Sequence, residues 1–511
     1  MSDARTVASL VAAVPGAALV RGDGAAVLGG IEHDSRRVAA GTAFVAVPGF
    51  SADGHGFLDA AIAAGAGALV VQRDHAATWQ GVRADTAMVA VDDTRAALSK
   101  AAAWFEGYPS RGMTVIGITG TDGKTTTSHL VTSVLEASGA RVGRLGTVDT
   151  YLPGESGHVS GRMTTPEAPE VQRLLRKMAD AGCDFAVVES TSHGLALHRL
   201  DDVEYDIAVL TNITGDHLDF HKTFEAYREA KGMLFAALDR TADKGVAKVA
   251  IANADDPSAN FMLTRSTRAR PMQYGLEARD ADVLARNVAL RADGTDFRLV
   301  TRWGMAEAHI RLPALFNVSN ALAAASAGLA AGLQLQQVVR GLGECPGVPG
   351  RMERIACGQP FEVIVDYAHT GDAVRKVLEV LREVTPNKLI VVVGAAGERD
   401  PGRRFGVGRA AASGADFAVF TNEDPRSEDP GEIVREIGRH AEGAGRRRGE
   451  DFIEVEDRRE AIEAALRKAG PGDMVVILGK GHEQSIIYGR EAQPWDDREV
   501  TRFELAKLGY G

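Results

Sequence analysis

The chain has 511 residues, of which 45% are hydrophobic and 25% are charged, and its formal net charge is −11. This length exceeds what a single hydrophobic core supports, so about three domains are expected. The negative charge argues against nucleic acid as the main partner, no apolar stretch is long enough to span a bilayer, and the N-terminal residues lack the basic and apolar pattern of a secretory signal.

Residues 1–110 are predicted to form a small first α/β domain. Short β-type segments at 42–47, 68–71 and 88–91 alternate with alanine-rich helical segments. The stretch 104–112 contains glycine and proline and is predicted to be a linker.

The most informative segment is 119–127, with the sequence TGTDGKTTT. It follows an apolar run at 113–118, predicted as a buried strand, and precedes 128–137, predicted as a helix. This order is typical of a phosphate-binding loop, in which backbone N–H groups face the anion, Lys124 reaches the outer phosphates and a threonine hydroxyl can hold Mg²⁺. The common pattern has glycine where this chain has Ile118, so the loop is a variant; the alternative, an ordinary turn with a chance Gly-Lys-Thr, is disfavoured by the order of the elements.

Residues 111–348 are predicted to form the central domain, which carries the phosphate loop. Apolar runs at 185–188, 207–210 and 246–251 alternate with helical patterns, which is typical of a mostly parallel, doubly wound sheet. A β-rich stretch at 288–310 interrupts the alternation.

Residues 349–511 are predicted to form a third, Rossmann-like domain, preceded by a hinge at 341–350. Predicted strands at 361–365, 389–393, 417–421 and 474–478 each run into a polar cluster, at 366–369, 394–400, 422–430 and 479–483. Because carboxyl ends of parallel strands meet at one edge of a sheet, the clusters are expected to share a binding edge.

Metal-ligating side chains follow two strands of the central region. Glu189 ends a predicted strand and is a natural Mg²⁺ ligand beside a phosphate loop; the alternative is a solvated loop residue. His217 lies in a segment dense in His and Asp and is a candidate metal ligand, whereas Asp216 could instead cap the next helix. The phosphate loop favours a hard cation over zinc. For Lys231, periodicity alone predicts a helix-surface position.

Together these motifs resemble those of the Mur ligase family, over nearly the whole chain. Within the family they are similar to the ligases that add the third, diamino residue of the peptidoglycan stem. The resemblance implies the three α/β domains proposed above. Asp122 stands where Asn is commoner, and Ala314, Gly371, Ala396 and Glu398 replace a usual Gly, Pro, Gly and Asp, which bears on loop geometry.

The resemblance also implies the site residues. Those expected to bind ATP are Gly120, Thr121, Asp122, Gly123, Lys124, Thr125, Thr126, Asn253, Asn317, Arg351 and Asp366. Those expected to bind the UDP-muropeptide are Ser35, Thr164, Thr165, Ser192 and Arg199. Catalytic roles fall to Lys124, Glu189, His217 and Lys231, and Mg²⁺ to Thr125, Glu189, His217 and a carbamate on Lys231. The incoming amino acid is expected at Arg399, Asp424, Arg426, Gly479 and Glu483.

The chemistry implied is ATP-driven amide formation in peptidoglycan synthesis, and hence in cell-wall biogenesis, cell shape and division. The D-Glu carboxylate of UDP-MurNAc-L-Ala-D-Glu would attack the γ-phosphate, and the amine would then displace phosphate from the acyl phosphate. A monomer is expected. Cys183, Cys345 and Cys357 are scattered, which suits a reducing cytoplasm.

The sequence Glu423-Asp424-Pro425-Arg426 resembles the family signature for meso-diaminopimelate, with Asp424 in place of a neutral Asn. A negative charge there disfavours a distal carboxylate and favours L-lysine or L-ornithine. Arg426 can hold a carboxylate bidentately, so meso-diaminopimelate is the alternative, and Glu423 and Arg399 could alter the charge balance.

Three rivals follow from other classes. A folylpolyglutamate-synthetase-like ligase would share the ATP domain but not the Asp34-Ser35-Arg36 segment of the first domain. A non-catalytic nucleotide-binding regulator is disfavoured by the joint presence of Lys124, Glu189, His217 and Lys231. A GTPase is disfavoured because no segment resembles a guanine-reading motif.

Overall fold

The computed structural model describes residues 4–49, 52–79, 86–154, 164–291, 293–400 and 402–511. The chain divides into two compact units, the first comprising Met1–Leu284, Thr301–Trp303 and Leu322–Gly341, and the second Ala285–Val300, Gly304–Ala321 and Leu342–Gly511. No helix in the described ranges combines the length and apolar character needed to cross a membrane. The predicted α/β class with parallel sheets is confirmed.

The first unit begins with a five-stranded sheet in the order β1-β5-β4-β3-β2, parallel except for β1. Its elements are α1 (Val7–Ala13), β1 (Ala18–Arg21), β2 (Gly30–Glu32), β3 (Thr42–Val45), α2 (Leu58–Ala63), β4 (Ala68–Gln72), α3 (Arg73–Thr78), β5 (Ala87–Val91) and α4 (Thr94–Phe105). The predicted linker at 104–112 is wrong at both ends. Helix α4 continues to Phe105 because Trp104 packs into this core, and Pro109–Gly112 forms a short 3-10 helix.

A second sheet of the first unit carries the phosphate loop. Its elements are β6 (Thr114–Thr119), α5 (Lys124–Glu136), β7 (Val142–Leu145), β8 (Thr150–Tyr151), α6 (Ala168–Asp180), β9 (Phe185–Glu189), α7 (Ser192–Ala196), β10 (Ile207–Leu210), α8 (Leu218–His221), α9 (Phe224–Ala237), β11 (Val249–Asn253), α10 (Ala259–Leu263), β12 (Arg270–Gly275) and β13 (Val283–Arg291). Eight of the ten strands of this sheet lie in the order β8-β7-β9-β6-β10-β11-β12-β13, and β7–β8 is the one antiparallel pair among these eight. Strand β6 therefore lies between β9 and β10, so the loops after these three strands meet at one edge.

The second unit contains the Rossmann-like sheet. Four elements precede this sheet along the chain, and their residues within Leu322–Gly341 belong to the first unit: β14 (Gly294–Thr301), β15 (Gly304–Ile310), α11 (Leu315–Ala330) and α12 (Leu335–Glu344). They are followed by β16 (Glu353–Arg354), β17 (Glu362–Asp366), α13 (Gly371–Val384), β18 (Leu389–Val393), α14 (Gly402–Gly414), β19 (Phe417–Phe420), α15 (Pro430–Glu442), β20 (Phe452–Glu454), α16 (Arg458–Lys468), β21 (Met474–Leu478), β22 (Ser485–Tyr488), β23 (Glu491–Pro494) and α17 (Asp497–Lys507). The hinge predicted at 341–350 starts too early, since α12 is helical to Glu344.

The strand order of this sheet is β16-β17-β21-β18-β19-β20, and all neighbours except β16–β17 are parallel. The carboxyl ends of β17, β21, β18 and β19 consequently lie at the same edge, as the four polar clusters predicted. Apolar side chains pack on both faces of the sheet, which makes its strands nearly continuous hydrophobic runs.

Three departures from the family pattern have a visible backbone consequence. Ala314 has φ of 86° and Glu398 has φ of 51°, so both occupy the left-handed region that glycine tolerates best. Gly371 starts α13, where an added Cβ would lie 2.6 Å from the backbone of Gly406 in α14. Glycine at 371 therefore permits the close approach of these two helices.

Candidate active site

The phosphate loop requires its glycines. Gly120 has φ of 152°, and a Cβ at this position would lie 1.8 Å from Oγ1 of Thr211. Gly123 has φ of 81° and precedes the first residue of α5, Lys124. The helix therefore begins four residues earlier than the predicted 128–137, and its N-terminus opens directly on the loop, which favours an anion there.

Side chains from the next strand stabilise the loop. Thr211 Oγ1 donates to the carbonyl of Asp122 at 2.6 Å, and Asn212 Oδ1 accepts from the N–H of Asp122 at 3.0 Å. Thr121 Oγ1 lies 3.0 Å from the hydroxyl of Tyr227. Asn253 lies at the end of β11 and donates through Nδ2 to the carbonyl of Thr211 at 3.0 Å. The loop is thus held from β10 and α9, and Asn253 is linked to it.

Two lysines converge on one carbonyl of this loop. Lys124 Nζ donates to the carbonyls of Gly120 at 2.9 Å and Thr121 at 2.7 Å, and Lys231 Nζ donates to that of Gly120 at 2.6 Å. The surface position that periodicity predicts for Lys231 is wrong, because the residue is only 1% exposed. Burial holds the pKa of Lys231 well below its usual value, and the charge of Lys124 lowers it further.

Glu189 is buried rather than solvated, with a relative exposure of 1%. Thr125 Oγ1 donates to its Oε2 at 3.0 Å, and Thr147 Oγ1 does so at 2.9 Å. Gly146 leaves room for the carboxylate, since a Cβ there would lie 2.3 Å from Oε1. Thr126, the next residue of α5, is also buried. The structure thus brings the predicted Thr125 and Glu189 together.

The His-rich segment after β10 forms an aromatic cluster. His217 has φ of 53° and immediately precedes α8, so Asp216 is not the capping residue, although its Oδ1 accepts from the N–H of His217 at 2.8 Å. The ring of His217 contacts that of His193 edge to face, with centroids 4.8 Å apart, and lies 6.3 Å from that of Tyr227. Burial lowers the pKa of His221 to about 4, so this neighbouring ring is neutral at physiological pH.

The residues predicted to bind the muropeptide lie beside Glu189. Thr164 Oγ1 lies 3.0 Å from Thr147 Oγ1, and Thr165 Oγ1 donates to the carbonyl of Glu189 at 3.1 Å. Ser192 is buried at the first position of α7. Arg199 donates through Nη1 to the carbonyl of Thr165 at 3.0 Å and pairs through Nη2 with Glu167 at 2.7 Å. Ser35 lies apart from this group in sequence, on a short 3-10 helix after β2.

The nucleotide residues predicted in the second unit lie in separate turns. Asn317 is buried in α11 and donates through Nδ2 to the carbonyl of Pro313 at 2.6 Å. Asp366 ends β17 and accepts from the N–H of Met352 at 2.8 Å, and burial raises its pKa. The guanidinium of Arg351 lies 4.6 Å from the ring centroid of Tyr367, and its buried Nε has no hydrogen-bond partner among the described residues.

The residues predicted to bind the amino acid come from three loops. The loops after β18 and β19 are joined by the N–H of Gly397, which donates to the carbonyl of Asp424 at 2.8 Å. Asp424 in turn accepts from Nζ of Lys480 at 2.8 Å, in the loop after β21. Lys480 also pairs with Glu483 at 2.5 Å. Asp424, Gly479 and Glu483 are thus brought together around a lysine that sequence reasoning missed.

Among the described residues, no side-chain hydrogen bond joins Arg399 or Arg426 to this group. Arg399 is exposed, and Arg426 has φ of 55° and a buried Nε without a partner within the described ranges. Glu423, which the sequence predicts only as an influence on the charge balance, is buried, and this burial raises its pKa to about 7. A signal for Lys480 was present, since it stands between two glycines in a cluster already identified, but the sequence does not indicate which way its side chain points.

The comparisons with known proteins agree along the chain. Residues 27–106 match the description "Mur ligase family, catalytic domain", 118–328 match "Mur ligase middle domain" and 350–481 match "Mur ligase, glutamate ligase domain". A relative from Roseiflexus sp. (strain RS-1), named UDP-N-acetylmuramyl-tripeptide synthetase, is 46% identical over 95% of this chain and 96% of its own. A relative from Geobacillus kaustophilus (strain HTA426), named UDP-N-acetylmuramoyl-L-alanyl-D-glutamate--2,6-diaminopimelate ligase, is 39% identical over 94% of this chain and 95% of its own.

A solved structure of the same family has a similar fold. The structure of a UDP-N-acetylmuramoyl-L-alanyl-D-glutamate--2,6-diaminopimelate ligase superposes with a TM-score of 0.70 at 30% identity, covering 99% of this chain and 100% of that one. The chain therefore belongs to the Mur ligase family and is an ATP-dependent ligase.

Proposed function

We propose that the protein joins a diamino acid to the D-Glu carboxylate of UDP-MurNAc-L-Ala-D-Glu, with ATP as the energy source, in the cytoplasmic synthesis of peptidoglycan. The observation that carries this proposal is the phosphate loop. Its glycines are sterically required, its lysine begins a helix, and the buried carboxylate of Glu189 lies beside its threonine. The relatives named above as tripeptide synthetase and diaminopimelate ligase support the same reaction class.

In this proposal the loop holds the ATP phosphates. The N–H groups at the start of α5 face the anion, and Lys124 exchanges the carbonyls of Gly120 and Thr121 for phosphate oxygens. The remaining proposed ATP residues are Gly120, Thr121, Asp122, Gly123, Thr125, Thr126, Asn253, Asn317, Arg351 and Asp366. Positioning and charge neutralisation supply most of the rate in phosphoryl transfer.

The donor set near the loop fits Mg²⁺. Thr125 Oγ1 and the Glu189 carboxylate are adjacent hard oxygen donors in a buried setting. The proposed ligands are Thr125, Glu189, His217 and a carbamate on Lys231; the carbamate rests on the family resemblance and is compatible with the buried amine. When bound, Mg²⁺ neutralises charge on the transferring phosphate.

The proposed reaction has two steps. The D-Glu carboxylate, held by Ser35, Thr164, Thr165, Ser192 and Arg199 together with the rest of the UDP-muropeptide, attacks the γ-phosphorus and releases ADP. The incoming amine then attacks the acyl carbon, the C–O bond to phosphate breaks, and inorganic phosphate leaves. The side chains orient the reactants and do not form covalent intermediates.

For the amino acid we propose L-lysine or L-ornithine, bound by Arg399, Asp424, Arg426, Gly479 and Glu483. The charge of Asp424 is balanced by Lys480, which weakens the repulsion predicted from Asp424 alone. However, Asp424 and Glu483 share this one lysine, and Glu423 adds a third carboxyl group in the same loops. The excess of carboxyl groups favours a side chain that ends in an ammonium.

The second candidate is meso-diaminopimelate. The specific observation in its favour is Arg426, whose buried Nε has no partner among the described residues and could receive a carboxylate. The name of the Geobacillus kaustophilus relative, a 2,6-diaminopimelate ligase, also supports this candidate.

The proposed organisation is a monomer with three domains at 1–110, 111–348 and 349–511. The decisive experiment measures phosphate release with UDP-MurNAc-L-Ala-D-Glu, ATP and, in turn, L-lysine, L-ornithine and meso-diaminopimelate. Release that requires the UDP-dipeptide and one of these amino acids supports the proposal, and competition among them identifies the substrate. Release with a folate and glutamate instead would favour the folylpolyglutamate-synthetase-like alternative.

A further inference from the structure

Lys480 is a buried cation at the centre of the proposed amino-acid site. It is 1% exposed, and its Nζ lies 2.8 Å from Oδ1 of Asp424 and 2.5 Å from Oε2 of Glu483. A buried ammonium is costly unless it is paired, and here both partners are residues proposed to contact the substrate.

The backbone around Lys480 holds the side chain in this position. Gly479 has φ of 113° and Gly481 has φ of 52°, so both neighbours occupy a region that side chains rarely adopt. A Cβ on Gly481 would lie 2.8 Å from Cα of Tyr367, so the turn is also packed tightly against the loop after β17. The turn therefore fixes the direction of the Cα–Cβ bond of Lys480, and the ion pairs with Asp424 and Glu483 hold its ammonium.

The two carboxylates are held independently of the lysine. Oδ1 of Asp424 also accepts from the N–H of Ile487 at 3.0 Å, and Oε1 of Glu483 accepts from the hydroxyl of Tyr367 at 3.4 Å. Removing the charge of Lys480 would consequently leave both carboxylates near their present positions. The side chain of Glu483 is 36% exposed, so the pair is accessible to a ligand on one side.

We propose that Lys480 is a specificity-determining residue, whose buried charge limits the negative charge that Asp424 and Glu483 present to the side chain of the incoming amino acid. The proposal rests on the proposed function of this site. With Lys480 in place, the loops discriminate only moderately between a side chain that ends in an ammonium, as in L-lysine, and one that carries both an ammonium and a carboxylate, as in meso-diaminopimelate. Without it, they reject a substrate carboxylate, because like charges at short range in a partly buried site repel strongly.

The test compares kcat/KM for L-lysine with that for meso-diaminopimelate in a charge series. Lys480→Met removes one positive charge with a side chain of similar length, and Asp424→Asn removes one negative charge. The double variant, Asp424→Asn with Lys480→Met, restores the balance. Arg382→Met is the control, because Arg382 pairs with Asp416 before β19, at the opposite end of the strands.

The ratio of kcat/KM for L-lysine over meso-diaminopimelate is expected to rise roughly tenfold or more in Lys480→Met and to fall by a similar factor in Asp424→Asn. The double variant should return within about threefold of wild type, and Arg382→Met should leave the ratio unchanged. If Lys480→Met does not fold, the double variant and Asp424→Asn, which differ only at Lys480, still give the comparison.

A ratio that does not move between folded variants differing only at Lys480 would overturn the inference while leaving the proposed function intact. If wild type neither ligates nor, by calorimetry, binds either amino acid, both the proposed function and the inference fail. Ligation by wild type together with the ordered series supports both.

Discussion

The phosphate loop of the first unit can be compared with the proposed amino-acid loops of the second, at 394–400, 422–430 and 479–483. The two sites have the same position relative to a sheet but differ in how far apart in sequence their contacting residues are. Both lie at the carboxyl edge of a parallel sheet. In the phosphate loop, the glycines and the lysine come from one contiguous segment, and Lys124 donates to carbonyls three and four positions away. In the amino-acid loops, Lys480 pairs with Asp424, which is 56 positions away.

The difference has a physical cause. A phosphate is recognised mostly by backbone N–H groups, and the backbone path follows from a short local sequence with glycines at defined positions. An amino-acid side chain is recognised by charged groups, whose effect depends on every neighbouring charge in space. The first kind of site is therefore legible in a motif, whereas the second depends on which loops the sheet brings together.

The largest expected effect is at the local site. Lys124→Ala should lower kcat for ATP-dependent ligation by on the order of 10²-fold or more, because the ammonium meets charge that develops on the transferred phosphoryl. Phosphate release measures the loss, and circular dichroism checks the fold. Lys177→Ala, on the exposed side of α6, is the control. Near-normal turnover in folded Lys124→Ala would refute the ATP-site assignment.

A substitution of Lys231 tests whether a residue distant in sequence is as important to the phosphate loop as Lys124, which belongs to it. Lys231→Ala should reduce activity by roughly 10- to 100-fold, the usual range when support for a metal is lost. Short carboxylic acids should restore part of the activity by replacing the proposed carbamate, and the same acids should not rescue Lys124→Ala. Full activity of Lys231→Ala without any additive would contradict the role.

Glu423 tests the dispersed site through pH. Burial raises the pKa of Glu423 from 4.5 to about 7, and Arg458 and Lys480 oppose the shift while Asp424 and Glu483 add to it. Because the folded-state pKa is the higher one, the stability that the protonated group contributes is complete below about pH 4.5 and is lost as pH rises through about 7. Between pH 5.5 and pH 8.0 wild type should therefore lose roughly 2 kcal/mol of stability that Glu423→Gln retains, at ~1.4 kcal/mol per pKa unit.

Denaturant unfolding of both proteins at pH 5.5 and pH 8.0 measures this difference. Glu379→Gln, on the exposed side of α13, is the control and should not change the pH dependence. A gap between wild type and Glu423→Gln that stays constant across this range would show that Glu423 does not titrate there.

The smallest expected effect is at a backbone position that lies outside both of the compared sites. Ala314 is buried with φ of 86°, where a Cβ costs about 1 kcal/mol relative to glycine. Ala314→Gly should raise the free energy of unfolding by about that amount, and Ala308→Gly, in strand β15, should lower it. If both substitutions destabilise the protein equally, the backbone strain inferred at Ala314 is absent.

Much of the architecture could be read from local patterns. The order of strand, glycine-rich loop and helix predicted the phosphate loop. The apolar runs within 349–511, each followed by a polar cluster, predicted a parallel sheet with a shared edge. The family prediction is confirmed by 46% identity with a tripeptide synthetase. Errors occurred where packing overrides composition, as at Trp104, whose burial extends α4 through a segment with the composition of a linker.

The sequence by itself determined the α/β class, the phosphate loop and the family, because these depend on periodicity, glycine positions and contiguous motifs. Only the tertiary structure decided that Lys231 is buried against the loop carbonyl of Gly120, that Thr147 joins Thr125 at Glu189, and that Lys480 neutralises Asp424. These facts depend on loops from different strands meeting at one sheet edge, and the direction and charge balance of a side chain at such a meeting point are set by neighbours far away in the chain.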